Sequence, residues 1–270
     1  MQANTRAIYM LPYYVWIVLF VVAPVVLVGY YSFFDVDGHF TFQNYRTFFT
    51  PVYLQMTLSS FWYAFLVTLF SLLIAYPAAY VLTRTKHRQL WILLIILPTW
   101  INLLLKTYAF IGIFGTYGPI NALLGAIGFG PQQLLFNAFS FVFVSVYIFV
   151  PFMILPIYNA LEEMNPSLIS AARDLGASGW TTFQRVIFPL TISGVKSGCM
   201  AVFIPSLSLF MITRLIAGNK VITLGTAIEQ HFLVTQDWGM GSTVAVVLII
   251  AMALLMLLSG SFGQEVRHGK

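Results

Sequence analysis

Few residues of this 270-residue chain are of types that do chemistry, and none of them cluster as a catalytic site. The single cysteine, Cys199, lies in an apolar stretch, so it forms neither an internal disulfide nor a multi-cysteine metal centre and reads as a packed, inert thiol. The four histidines, His39, His87, His231 and His268, are scattered, with none at the i, i+4 spacing of a helical zinc pair. All four are expected in loops or tails, solvated. There is no Gly-x-x-x-x-Gly-Lys-Ser/Thr sequence whose backbone and lysine would cradle phosphates. What remains suits the handling of a solute. Trp100, Asn102, Lys106, Tyr108 and Phe110 fall within one apolar stretch, and Asn102 and Lys106, four apart, are expected on one helical face. A polar stripe inside an apolar helix is a functional hypothesis by default. Lys106 is expected to snorkel its ammonium to the outer interface, while Trp100 and Phe110 either line a path or pack. Asp237-Trp238 pairs a carboxylate with a ring, which suits an ammonium ion and suits equally an interface anchor with a helix cap.

A second kind of chemistry belongs to the polar interruption Glu162–Pro189, which separates two long apolar stretches. Its pattern predicts helix, turn, helix. Asn165 is placed to cap a first helix with Pro166 at its first position, and Gly176 suits the left-handed residue that ends it. Ser178 is placed to cap a second helix through Val186, and Pro189 to mark the return to the apolar stretch. Leu168, Ile169, Ala172 and Leu175 recur at helical spacing beside Arg173 and Asp174, giving an apolar stripe next to charge. A membrane protein needs such a surface where something in the water phase must grip it.

The elements that position these residues follow from composition. The chain is 60% hydrophobic and only 8% charged, whereas a soluble domain carries about 25% charged residues. Residues 7–34, 47–83, 107–161 and 238–264 contain no Asp, Glu, Lys or Arg. A spanning helix needs about 20 apolar residues, and six spans are expected, at 11–34, 56–83, 89–113, 136–161, 191–216 and 240–263. The first is read as a retained helix, because its run exceeds the apolar core of a signal peptide and lacks a small-x-small cleavage site. With the N-terminus inside, the inner segments carry Arg6, Arg84, Lys86, Arg88, Arg173, Arg185, Arg267 and Lys270, and the outer ones only Arg46 and Lys220. That asymmetry puts both termini inside and the 162–190 segment with them. Pro24, Pro77, Pro98, Pro151, Pro156 and Pro205 fall within spans, where each is expected to bend its helix. The spans hold no interior Asp or Glu, which disfavours an ion-driven secondary transporter, and the lack of a clustered nucleophile, base or metal ligand disfavours a membrane enzyme.

Within the interruption, Ser170-Ala171-Ala172-Arg173-Asp174-Leu175-Gly176 followed by Val186-Ile187-Phe188-Pro189 resembles the EAA loop of ABC importer permeases. Ala171, Ala172, Gly176 and Pro189 match at the family's spacing; Ser170 stands where the family has glutamate, with Asp174 or Glu163 as weak substitutes. Gln43-Asn44-Tyr45, Ala75-Tyr76-Pro77-Ala78-Ala79-Tyr80, Leu97-Pro98-Thr99-Trp100-Ile101-Asn102 and Asp237-Trp238 extend the resemblance toward the spermidine/putrescine permease family.

The resemblance implies one all-α transmembrane permease domain over residues 1–270, with residues 162–190 as an inner coupling loop, in a bacterial inner membrane. It implies a non-catalytic subunit that carries no cofactor and binds no nucleic acid, in membrane lipid beside a second homologous permease. A homodimeric cytoplasmic ATPase would bind ATP and magnesium, and an extracytoplasmic polyamine-binding protein would deliver cargo. Coupling to the ATPase would fall to Ser170, Ala171, Ala172, Arg173, Asp174 and Gly176. Substrate would pass Tyr45, Trp100, Asn102, Tyr108, Phe110, Asp237 and Trp238, with Tyr45 meeting either cargo or the binding protein. Iron or another small solute stays open as the cargo.

Overall fold

The structure, a computed structural model, describes residues 2–218 and 220–258, with side chains from Met10 onward. Arg267, Lys270 and His268 therefore lie outside the described residues, as does the end of the last expected span. Among the described residues every named element is helical, the one extended pairing being the isolated bridge Phe34–Phe40. Six helices are long and apolar enough to cross a membrane: Met10–Tyr31, Pro51–Thr83, Leu103–Ala126, Ala138–Glu162, Gly179–Leu207 and Trp238–Leu258. The described residues form two compact units, one comprising residues 2–57 with Ala227–Ala253, the other Leu58–Thr226 with residues 254–258.

In the first unit, α1 (Gln2–Ile17) runs through a π-turn, Val18–Val22, into α2 (Ala23–Tyr31). The π-turn lies just ahead of Pro24, which has no N–H to donate, and the wider turn absorbs the missing bond. After the Phe34–Phe40 bridge come α3 (Gln43–Phe48) and the start of α4 (Pro51–Thr83). The unit is closed by α14 (Trp238–Leu258), whose first turn lies on the Ser32–Phe34 backbone. Thr243 Oγ1 donates to the Ser32 carbonyl at 3.0 Å, and a Cβ on Gly239 would stand 1.9 Å from the Phe34 carbonyl oxygen. Only glycine permits that approach.

The second unit carries most of the buried core. After α4 come α5 (Arg88–Ile96), a 3-10 turn (Leu97–Trp100), α6 (Leu103–Phe114), α7 (Pro119–Ala126) and α8 (Ala138–Glu162). Then follow α9 (Ser167–Asp174), α10 (Gly179–Thr182), a π-turn (Phe183–Ile187), α11 (Phe188–Leu207), α12 (Met211–Ile216) and α13 (Leu224–Glu229), which a further π-turn (Gln230–Val234) continues. The tightest pair is α8 with α11. Gly194 and Gly198 lie on its seam, and a Cβ at Gly194 would meet the Pro156 carbonyl oxygen at 2.5 Å. Small residues four apart let apolar helices pack backbone to backbone where hydrophobic exclusion drives nothing. Tyr76 on α4 joins the pair through a 2.8 Å bond to Thr191.

Two of the six expected spans change character. The third, expected as one helix over 89–113, is interrupted: α5 tightens into the 3-10 turn at Pro98, Ile101 is extended at ψ 134°, and a new helix starts at Leu103. The fifth, expected at 191–216, instead begins at Gly179 and ends at Leu207, leaving α12 as a separate short helix. Pro189 does not separate the second hairpin helix from the span, because the π-turn ahead of it carries the helix through. Pro77, Pro151 and Pro156 sit inside α4 and α8 without interrupting them.

Candidate functional site

The hairpin between α8 and α11 is assembled by local bonds. Asn165 Oδ1 accepts the Ser167 N–H at 3.0 Å, so the capping asparagine works one residue further out than expected, with Pro166 at the helix boundary. Gly176 has φ +80°, its N–H reaches the Arg173 carbonyl at 2.8 Å, and the Ala177 N–H reaches the Ala172 carbonyl at 3.0 Å. This is a Schellman C-cap, which needs a left-handed residue. Ser178 Oγ accepts the Thr181 N–H at 3.2 Å and starts α10. Local bonding leaves the side chains free to face outward. Leu175 is 88% exposed and Trp180 66%, and Leu168 is exposed beside them. The expected apolar stripe is thereby divided: Ile169 packs on the core while Leu168 and Leu175 point away from it. Arg173 and Asp174 are exposed and have no ion-pair partner among the described residues, and Ser170 and Ala171 are exposed beside them. Leu168, Leu175 and Trp180 thus form an exposed apolar surface with Arg173 and Asp174 beside it.

The interrupted third stretch holds Trp100 and Asn102 together at its break. Asn102 is the N-cap of α6, its Oδ1 accepting the Leu104 N–H at 2.8 Å and its carbonyl accepting the Lys106 N–H at 3.2 Å, so the two residues stand one turn apart. Asn102 is exposed and Lys106 buried. Trp100, in the 3-10 turn, is 77% exposed. Only 9% of Lys106 is exposed, so its neighbours cover most of its stem, and it has no ion-pair partner among the described residues. Tyr108 is exposed, whereas Phe110 packs with Phe114 and Tyr147, the last at 5.0 Å between ring centres. Phe110 is half-buried among these rings. Beside the break an apolar cavity of about 530 Å³ lies between Ile95, Pro98, Phe143, Tyr147, Pro151 and Ile154. Its lining carries no charge to engage a polar solute.

In the first unit Tyr45 and the first turn of α14 both lie against the Ser32–Phe34 segment. Tyr45 shares a 2.8 Å bond with Ser32 Oγ, and Asn44 donates to the Phe34 carbonyl at 2.8 Å. Asp237 Oδ1 caps α14 by accepting the Met240 N–H at 2.9 Å, and Trp238 lies against Tyr31 and Phe232. One histidine departs from expectation. His231 is half-buried in the Gln230–Val234 π-turn, where its Nε2 bonds the Tyr53 hydroxyl at 2.8 Å. Burial pushes its pKa down, and the nearby Asp237 carboxylate opposes that only in part. Sequence spacing gave no sign of this pair, which joins residues 178 positions apart. Nor did it signal the ion pair of Arg88 with Glu162, at 2.5 Å.

Residues 68–268 match the family described as binding-protein-dependent transport system inner membrane component. The chain belongs to that family. It is a multi-pass inner-membrane permease subunit of an ABC importer, a transport subunit whose ATP is hydrolysed by a separate chain. The permease is 36% identical to the spermidine/putrescine transport system permease protein PotB of Haemophilus influenzae, over 89% of this chain and 88% of the relative. It is 35% identical to PotB of Escherichia coli K12, over 90% and 92%. An inner membrane ABC transporter permease, YdcU of Escherichia coli K12, is 29% identical over 84% of this chain and 79% of the relative. Among solved structures, a chain of the bacterial alginate ABC transporter in complex with alginate pentasaccharide-bound periplasmic protein matches at TM-score 0.83, over 98% of this chain and 96% of that one. Its 14% identity makes it evidence of fold alone.

Proposed function

We propose that the permease imports polyamines of the spermidine and putrescine class by alternating access. The observation that carries the substrate class is 35–36% identity over nine-tenths of the chain to two permeases named for those solutes. The site chemistry is compatible with it. A polyamine is a flexible polycation, and aromatic faces attract ammonium groups by about 0.5–2 kcal/mol each, enough to guide and weak enough to release. Trp100 and Tyr108 offer exposed rings, and Asp237 offers its second carboxylate oxygen beside Trp238. Tyr45 serves the entrance mainly by holding the Ser32 segment.

A homodimeric cytoplasmic ATPase, carrying ATP and magnesium, would grip the hairpin at Ser170–Gly176, with both termini on the same side by the positive-charge asymmetry. Its exposed Leu168, Leu175 and Trp180 and its exposed Arg173 and Asp174 supply the contact that the missing family glutamate at Ser170 does not. Closure of the ATPase on ATP pushes the hairpin and rocks this chain against a second, homologous permease. The shared cavity then opens to a polyamine-binding protein outside, and hydrolysis resets it inward. The test is ATP hydrolysis by the reconstituted complex with its binding protein, given spermidine, putrescine and ferric iron separately. Stimulation by the polyamines alone is expected; stimulation by another solute alone would discard the polyamine assignment and keep the importer.

A further inference from the structure

The docking hairpin must act on the rest of the chain through whatever it touches, and one contact outside the hairpin is charged. Glu162 ends α8 immediately ahead of the hairpin, and its Oε1 lies 2.5 Å from the guanidinium of Arg88, the first residue of α5. Tyr158 lies one turn back on α8, near the same carboxylate. The neighbouring cation is not a competitor: Arg84 lies over the Tyr80 ring, 4.1 Å from its centre, and bonds that tyrosine's hydroxyl. Arg88, Glu162, Arg84 and Tyr80 line one cavity of about 260 Å³ together with Pro166 and Ile169 of the hairpin. The start of the hairpin thus borders the same opening as the ion pair.

From Arg88 the chain is stiff for the length of α5 and the 3-10 turn, roughly 20 Å at ordinary helical rises. It then gives way at Ile101, just where Trp100 and Asn102 sit. We infer that the Arg88–Glu162 pair is a strut through which movement of the hairpin displaces α5 and re-aims the Trp100–Asn102 break. Arg88 is in this sense a positioning residue of transport. The inference rests on the reading of the hairpin as the ATPase docking element. Both partners are about half exposed, and such pairs contribute little to stability. The strut therefore serves to transmit displacement, and its loss separates transport from folding.

The test uses the complete transporter in proteoliposomes, comparing Arg88→Gln, Glu162→Gln and the exchanged pair Arg88→Glu/Glu162→Arg. Each single variant is expected to insert, co-purify with the ATPase and hydrolyse ATP, while solute carried per ATP falls about tenfold, within the range of coupling between sites. The exchanged pair restores at least half of it. In a Cys199→Ala background, Ile101→Cys is expected to change its labelling rate by a membrane-impermeant maleimide on ATP addition, and to lose that change with Arg88→Gln. Unaltered transport per ATP in both single variants, or no recovery in the exchanged pair, overturns the strut. A Gly176→Asp control separates the two readings: if it keeps ATPase association and stimulated turnover, the docking reading has failed; if it loses them while Arg88→Gln transports normally, only the strut has failed.

Discussion

Two places where the chain passes between a short helix and a longer one behave in opposite ways. Between α10 and α11 there is a proline, Pro189, and yet the helix is continuous, because the Phe183–Ile187 π-turn moves the bonding register one residue ahead of it. Between α5 and α6 there is also a proline, Pro98, and the helix stops. Thr99 Oγ1 turns back to the Ile96 carbonyl at 2.6 Å, Ile101 becomes extended, and Asn102 caps a new N-terminus. A proline removes one donor and crowds one carbonyl; it ends a helix only where a nearby side chain can satisfy the exposed N–H groups of the next. The consequence is mechanical. The hairpin is joined rigidly to α11, so a push on it is delivered, while α5 and α6 are joined by a joint that can bend.

The largest expected effect comes from damaging the delivering side. Gly176→Asp places a side chain at φ +80° in the turn that separates the two hairpin helices, at a conformational cost of about 1–2 kcal/mol, and puts a second carboxylate beside Asp174. Solute-stimulated ATP turnover of the reconstituted complex should be abolished with membrane insertion intact. Turnover at the wild-type rate would mean that the hairpin is not the docking element.

The bendable side is tested next, by separating two roles of Asn102. As a cap it is replaceable by aspartate or serine; as a solute contact through its amide it is not. Asn102→Ala should lose about 0.5–2 kcal/mol of helix-end stability and lower uptake several-fold. Asn102→Ser should keep both the thermal midpoint and most of the uptake. Failure of serine to rescue would assign the amide to the solute instead.

The apolar stretches, the hairpin and its caps at Asn165, Gly176 and Ser178 were legible in the sequence, because each rests on residues within a few positions of one another. The break at 101–102 was not. Pro98 looks no different in sequence from Pro77 or Pro156, which sit in uninterrupted helices, and Asn102 read as one member of a polar face with Lys106. The packing around Lys106 was equally hidden: how much of its stem is covered depends on neighbours that its own spacing does not reveal. Contacts made at long separation, Arg88 with Glu162 and Tyr53 with His231, leave no periodic trace at all.

A smaller effect is expected from the continuous junction. Pro189→Ala restores a backbone donor inside the continuous helix, where the π-turn ahead of it already accommodates the missing N–H. Uptake should stay within about twofold of wild type, since the helix passes through this position with or without the proline. A large loss would show that the π-turn, held in place by the proline, is itself needed for delivery.

The smallest effect concerns His231, outside both junctions. Its Nε2 bonds Tyr53, and burial holds its pKa below the ordinary histidine value of about 6.5. The unfolded chain therefore binds a proton at this position more readily than the folded one. Stability from this group is complete above the unfolded value and is lost as pH falls below it toward the depressed folded value. The Asp237 carboxylate limits the loss by favouring the imidazolium. The thermal midpoint of the purified complex should thus fall modestly between pH 7.5 and 5.5, and His231→Gln should flatten that slope while leaving the response to Arg88→Gln unchanged. A slope of the same size in the variant would assign the acid sensitivity to other groups and leave the Tyr53–His231 bond a packing contact only.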